Sequence, residues 1–306
     1  MHPLLARARN HDRAALARLI SLVEGGAPGS REIVRSLGAR RWVAPGAPHV
    51  IGITGPPGAG KSTFTDQLVR LARADGERVA VVAVDPSSPR TGGAILGDRI
   101  RMEAHAEDPG VYLRSLSARG ASGGLSRATG QVVDVLDAVG FDRILVETVG
   151  VGQGELAILG VADTVLVVLT PESGDTVQTM KAGLIEIADV FCVNKADRPG
   201  ADALARELEL SVQLDGRAWP APVHTASALD GRGVAAVLAS VRRHRDWLMG
   251  PGRAAWDQRR SEGRVETFLD LCAEAARRAA LGSPIIAELR SGRLRPEDAS
   301  LPGGDT

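Results

Sequence analysis

Lysine is rare in this 306-residue chain: Lys61, Lys181 and Lys195 are its only three, and arginine supplies the rest of the 37 basic side chains. A solvated surface is served by arginine. A position that keeps lysine points instead to a compact ammonium on a thin stem, which a planar guanidinium cannot imitate. Each lysine should then sit in a chemical motif. Lys61 does: GPPGAGKST fits G-x-x-x-x-G-K-[ST] with Gly55, Gly60, Lys61 and Ser62. In the loop Gly55, Pro56, Pro57, Gly58, Ala59 and Gly60, small residues let the N–H groups of the non-proline positions approach phosphate oxygens, and a following helix adds its positive N-terminus. Lys61 would reach the outer phosphates, Ser62 would ligate magnesium, and Thr63 ends the cradle.

Lys195 lies in Asn194-Lys195-Ala196-Asp197, after a late apolar run. N-K-x-D in that place is how P-loop GTPases read guanine. Asp197 would accept from the N1–H and exocyclic amine of guanine, whereas adenine would leave the carboxylate unpaired. Lys195 would lay its aliphatic stem along the base. About thirty residues on, Ser227-Ala228-Leu229 stands where such proteins place a second, backbone contact to the base. Asp85 and Glu147 end two further apolar runs, where carboxylates can hold the waters of magnesium. Glu147-Thr148-Val149-Gly150 is a glutamate version of the D-x-x-G that senses a γ-phosphate. Gln153 lies too far past Gly150 to be assigned a catalytic role.

These residues need an α/β frame. Strands are expected at 50–54, 78–84, 111–115, 142–147, 163–170, 189–194 and 222–227, with helices between them. Near-continuous Val/Ile/Leu runs of this kind indicate a mostly parallel sheet, a P-loop core with helices on both faces. Residues 1–45 read as a helical extension, with AALARLISLVE broken by GGAPG before a second short helix, 46–249 as the nucleotide domain, and 250–306 as a helical arm and loose tail. Formal net charge is zero, which gives no hint of nucleic acid or an anionic membrane as partner. Cys192 and Cys272 form no paired motif, the N-terminus lacks the apolar core of a signal peptide, and no apolar run nears the roughly 20 residues that span a bilayer. A cytoplasmic protein is the expectation.

The chain resembles the MeaB/ArgK family, GTPases that escort adenosylcobalamin-dependent acyl-CoA mutases such as methylmalonyl-CoA mutase. The likeness runs through GPPGAGKST, VDPSSPRTGGAILGDRIRM, RSLSARGASGGLSRAT, VETVGVGQGE, PESGDTVQTMKAG and NKAD. It implies GTP/GDP and Mg2+ as ligands, slow hydrolysis stimulated by the partner, a homodimer built through the C-terminal arm, and gated loading, protection and release of the mutase cofactor. A cobalamin adenosyltransferase is a further implied partner. It also gives Lys181 a role: the matching lysine approaches the nucleotide when the partner docks, and an ammonium there could neutralise transferred charge. The plainer alternative is a helix-surface lysine paired with Glu186 or Asp175. Asp98 is the switch aspartate available for a catalytic role. Gly154, Ile100 and the GASGG segment depart from the pattern.

Three rival readings compete with this resemblance. A nickel metallochaperone GTPase needs clustered Cys/His ligands, and the six histidines here are scattered. A kinase acting on a transport-binding protein would have to use Asp98 to activate its acceptor. A scaffold with a vestigial nucleotide site does not fit an intact phosphate loop. For the arm, Val265, Phe268, Leu269, Leu271 and Cys272 give residues 265–281 an apolar face suited to self-association, or else to packing on its own core.

Overall fold

The computed structural model of the chain describes residues 2–26, 29–37, 45–85, 105, 107–117, 127–148, 157–173, 184–291 and 293. Within them one sheet holds β1 (His49–Thr54), β2 (Val79–Asp85), β3 (Val111–Ser117), β4 (Arg143–Glu147), β5 (Thr164–Leu169), β6 (Val190–Val193) and β7 (Val223–Thr225). Their spatial order is β3-β2-β4-β1-β5-β6-β7. Every pairing among these seven strands is parallel, so the mostly parallel sheet expected from the apolar runs is wholly parallel here. The central strands β1, β4, β5 and β6 are buried at every position, while edge strand β7 is half-buried throughout. A strand covered on both faces reads as a continuous apolar run, which is why these were legible.

The helices are α1 (Pro3–Arg9), α2 (Arg13–Glu24), α3 (Ser30–Ser36), α4 (Lys61–Ala74), α5 (Arg127–Val139), α6 (Ala201–Asp215), α7 (Val234–Met249), α8 (Arg253–Leu281) and α9 (Ile285–Arg290). Successive strand residues face opposite sides. Val50, Val82, Ile144, Val167 and Phe191 join a core with α1, α2, α5 and α6. Ile51, Ile53, Val81, Leu145 and Leu166 join a second core with α4 and α7. α2 shows the local logic: the Asp12 carboxylate caps its N-terminus by accepting from the Ala15 N–H at 2.9 Å, and Leu16, Leu19, Ile20 and Val23 form its buried stripe.

Two elements differ from the sequence reading. α1 is an additional helix, too short for its periodicity to register, begun by Pro3 behind a His2 cap. The arm helix starts at Arg253, a full three turns before the apolar stretch at 265. Its early turns carry no large apolar side chain except Trp256, which is buried against Leu248. Farther along, Val265, Leu269 and Cys272 are exposed, so packing of that face on its own core does not occur at these three residues.

At the N-terminal end of the strands lies a buried polar chain. His49 Nε2 is 2.8 Å from Thr164 Oγ1, which is 2.8 Å from His244 Nδ1. His244 Nε2 is 3.5 Å from Asp189, and Asp189 accepts two 3.0 Å hydrogen bonds from Arg259 of α8. Burial pushes both imidazoles below the ordinary histidine range, that of His49 well below. Burial favours the neutral acid at Asp189, yet positive charge at His244 and Arg259 holds its carboxyl below the usual range. With His244 itself driven toward neutrality, Arg259 is the lasting counter-charge.

Candidate nucleotide-binding site

β1 ends at Thr54 and the chain turns sharply into α4. Gly55 makes that turn with φ +139°, and a Cβ there would stand 2.0 Å from the Val168 carbonyl oxygen of β5. Gly60 caps α4 with φ +85°, and its Cβ would stand 2.5 Å from Asn194 Nδ2. Only glycine meets both demands at either place. The Lys61 ammonium curls back over the loop and donates to the Gly55 carbonyl at 2.8 Å and the Pro56 carbonyl at 3.0 Å. Pro57 and Gly58 form the exposed lip, Ala59 is buried beneath it, and Thr63 is half-buried one turn into α4. A helix N-terminus with a strand-fed glycine loop in front of it is a ready-made anion site.

Glu147, the last residue of β4, is buried at 4% exposure beside the first turn of α4. Ser62 Oγ donates to its Oε1 at 2.6 Å, and Thr65 Oγ1 lies 2.8 Å from its Oε2 and 2.9 Å from the Lys61 carbonyl. Thr65 went unnoticed in the sequence, although it falls three residues after Ser62 and hence on the same helix face. Thr148 Oγ1 donates to Thr54 Oγ1 at 2.9 Å and ties the ends of β4 and β1 together. Asp85 ends β2 as expected, although only its backbone is described. Lys181, Asp98, Gly150, Gln153, Gly154 and Ile100 lie outside the described residues.

Asn194 joins the two halves of the site. Its Nδ2 donates to the Ala59 carbonyl at 2.8 Å, and its Oδ1 accepts from the Ala228 N–H at 2.9 Å. The phosphate loop and the Ser227-Ala228-Leu229 loop are thus fastened through one buried amide. The Ser227 N–H is itself held by the Arg232 carbonyl at 2.9 Å, and the Leu229 side chain is fully turned to solvent. Beyond Asn194, Lys195 adopts a left-handed φ of +58°, which swings the chain so that Asp197 stands exposed beside the loop. The structure therefore brings Gly55 to Thr63, Glu147, Asn194, Lys195, Asp197 and Ser227 to Leu229 to one edge of the sheet, at the C-terminal ends of β1, β4, β6 and β7. Ligands of parallel α/β sheets bind at that edge.

Among the described residues no three His, Cys, Asp or Glu side chains gather as a metal-holding group, and no helix is long and apolar enough to cross a membrane. Residues 16–281 match the family described as Methylmalonyl Co-A mutase-associated GTPase MeaB. A Pyrococcus abyssi protein that carries a GTPase name is 47% identical over 273 residues, 87% of this chain and 83% of its own. A fused isobutyryl-CoA mutase of Cupriavidus metallidurans is 42% identical over 211 residues, which make up 68% of this chain but 19% of the mutase. Among solved structures, a LAO/AO transport system kinase superposes with a TM-score of 0.71 at 27% identity, covering 96% of this chain and 93% of that one.

Proposed function

Because the chain belongs to the family of methylmalonyl-CoA mutase-associated GTPases, we propose that it hydrolyses GTP to GDP and phosphate as the escort of an adenosylcobalamin-dependent acyl-CoA mutase. The observation that carries the nucleotide part is the Asn194 amide. It makes one rigid cradle of the phosphate loop and the base loop, bonded at 2.8 and 2.9 Å. On the mutase part, the support is the protein named a fused isobutyryl-CoA mutase, in which a stretch like this chain shares one polypeptide. A cobalamin adenosyltransferase is a second candidate partner.

In this reading the loop N–H groups of Gly58 to Lys61 hold the β-phosphate, and Asp197 and a backbone N–H of the Ser227-Ala228-Leu229 loop read guanine. Ser62, Glu147 and Thr65 form a buried set of hard oxygen donors, which fits magnesium. Ser62 would hold the ion, with Glu147 and Asp85 accepting from its water shell. Bound there, it would draw negative charge off the β- and γ-phosphates. The Gly55 and Pro56 carbonyls hold the Lys61 ammonium over the loop, where it would meet phosphate oxygens. Hydrolysis breaks the bond between the γ-phosphorus and the bridging oxygen, forms one to water oxygen, and releases the water proton. Positioning and charge neutralisation account for nearly all of such catalysis. Turnover is then slow alone and rises when the partner brings Lys181 toward the phosphates, with Asp98 the further catalytic candidate.

The domain limits follow suit, with the nucleotide core over 46–249 and self-association through 250–306. Calorimetric titration with GTP and ATP tests the core claim, and equal affinity for the two would sink it. A cognate mutase should then raise the hydrolysis rate. Transfer of labelled γ-phosphate to a transport-binding protein, with none released to water, would favour the kinase reading. Tight nickel binding without a mutase effect would favour a metallochaperone.

A further inference from the structure

We propose that Glu172 is the positioning residue of the base-reading lysine: its carboxylate fixes the Lys195 ammonium so that the methylene stem lies flat against the purine. This rests on the guanine-nucleotide reading above and adds to it a residue outside the N-K-x-D motif. Glu172 occupies a one-turn 3-10 helix, Pro171–Ser173, directly after β5. Its Oε2 lies 3.0 Å from Lys195 Nζ, and its Oε1 pairs with Arg198. Both oxygens are thus committed to cations three residues apart on the turn that follows β6.

The partners are presented by rigid backbone rather than by chance encounter on a surface. β5 and β6 are neighbours in the sheet, and the Asn194 N–H donates to the Leu169 carbonyl at 2.7 Å where the two strands end. Thr170, between β5 and Glu172, is buried. On the other side, the Ala196 N–H donates to the Ala226 carbonyl and the Arg198 N–H to the Lys195 carbonyl, both at 2.9 Å. Lys195 is fixed at its root by a left-handed backbone and at its tip by Glu172. A lysine held only at its root would sweep its long stem through solvent, and stacking against a base would have to order it each time. A carboxylate beside an anion-binding site would by itself repel the ligand. Placed off the base end, and neutralised by two cations, it serves as a peg instead.

Full-length wild type and the variants Glu172→Gln, Lys195→Met and their double mutant are titrated with a fluorescent GDP analogue at low and high ionic strength, with dissociation followed by stopped flow. Glu172→Gln keeps the shape and removes the charge. It should weaken binding about three- to fivefold at low salt, chiefly through faster dissociation. The gap should narrow below about twofold near 0.5 M salt, as expected for a half-exposed ion pair. In the Lys195→Met background, which keeps an unbranched stem but no ammonium, Glu172→Gln should have no further effect. A merely structural role would instead lower the melting temperature and add to Lys195→Met in full. Equal or tighter GDP binding by Glu172→Gln, or full additivity, overturns the proposal. Failure of wild type to prefer GDP over ADP would instead remove the guanine reading beneath it.

Discussion

In the proposed guanine site, Asp197 offers an exposed carboxylate to the base, while Asn194 is a buried amide that ties the two loops together. Asp197→Asn exchanges an acceptor for a donor at the purine edge. It should cost guanine nucleotides about 1.5–3 kcal/mol, roughly tenfold to more than a hundredfold in affinity, and move preference toward xanthosine nucleotides in a competition titration. Unchanged selectivity would remove Asp197 from the site. Lys61 and Lys181, the two lysines assigned to phosphate in the proposed function, should separate kinetically. Lys61→Ala should lose nucleotide affinity itself, since its ammonium already lies over the loop. Lys181→Ala should leave affinity and basal hydrolysis intact and abolish most of the partner's stimulation, a loss confined to the activated transition state. Lys181→Arg should not restore it fully if a compact charge is required. Full stimulation of Lys181→Ala by a cognate mutase would return that lysine to the surface. Much of this was legible because motif chemistry depends on residue type and spacing. The rest was not, because it depends on approach in space: Thr65 joins Glu147 across the gap between a helix and a strand, and Glu172 reaches Lys195 from the turn that follows the neighbouring strand.

At the scale of elements, the polar chain from His49 to Arg259 binds β1, β5, β6, α7 and α8 at one end of the sheet. Its pH dependence has a definite sign. Both imidazoles are held below their unfolded value of about 6.5, so below that pH the unfolded chain binds protons that the folded chain refuses. Stability should fall on the acid side of about pH 6.5, by up to about 1.4 kcal/mol per pH unit for each histidine. The Asp189 carboxyl is lowered, so its contribution is present above about pH 3.9 and lost as pH falls through its folded value. Melting curves from pH 8 to 5 should be steeper for wild type than for His244→Asn, and identical slopes would exclude His244 as the group responsible. The start of α8 shows what sequence periodicity misses. RAAWDQRRSEG has no apolar stripe, yet it is helical because Trp256 and the Arg259–Asp189 pair pin it to the core. A single aromatic and a charge partner distant in sequence leave no periodic trace. The buried strands were read to within a residue or two, since continuous apolar runs declare themselves.

For the whole molecule, the expected homodimer would use the exposed Val265, Leu269 and Cys272 of α8. A chain ended after Glu262 keeps Trp256 and Arg259 on the core and should be monomeric by light scattering, whereas a cut at 250 would also strip the partner of buried Asp189. A dimer that survives the cut at 262 would locate the interface elsewhere. The strand order has a consequence for how this protein is made. β1 and β2 never touch, because β4, some ninety residues after β1, lies between them. In the nascent chain β1 therefore stays unpaired until β4 has emerged, and its other neighbour β5 comes later still, long-range pairing that favours slow folding. The glycine loop is finished later still. Gly55 is seated against Val168, and Ala59 and Ala228 are joined only once Asn194 and the residues after it have left the ribosome. A product arrested before β7 would carry the whole phosphate-binding motif in its sequence and yet lack the Ala228 N–H that holds Asn194, so firm nucleotide retention should mark a chain grown past Ala228.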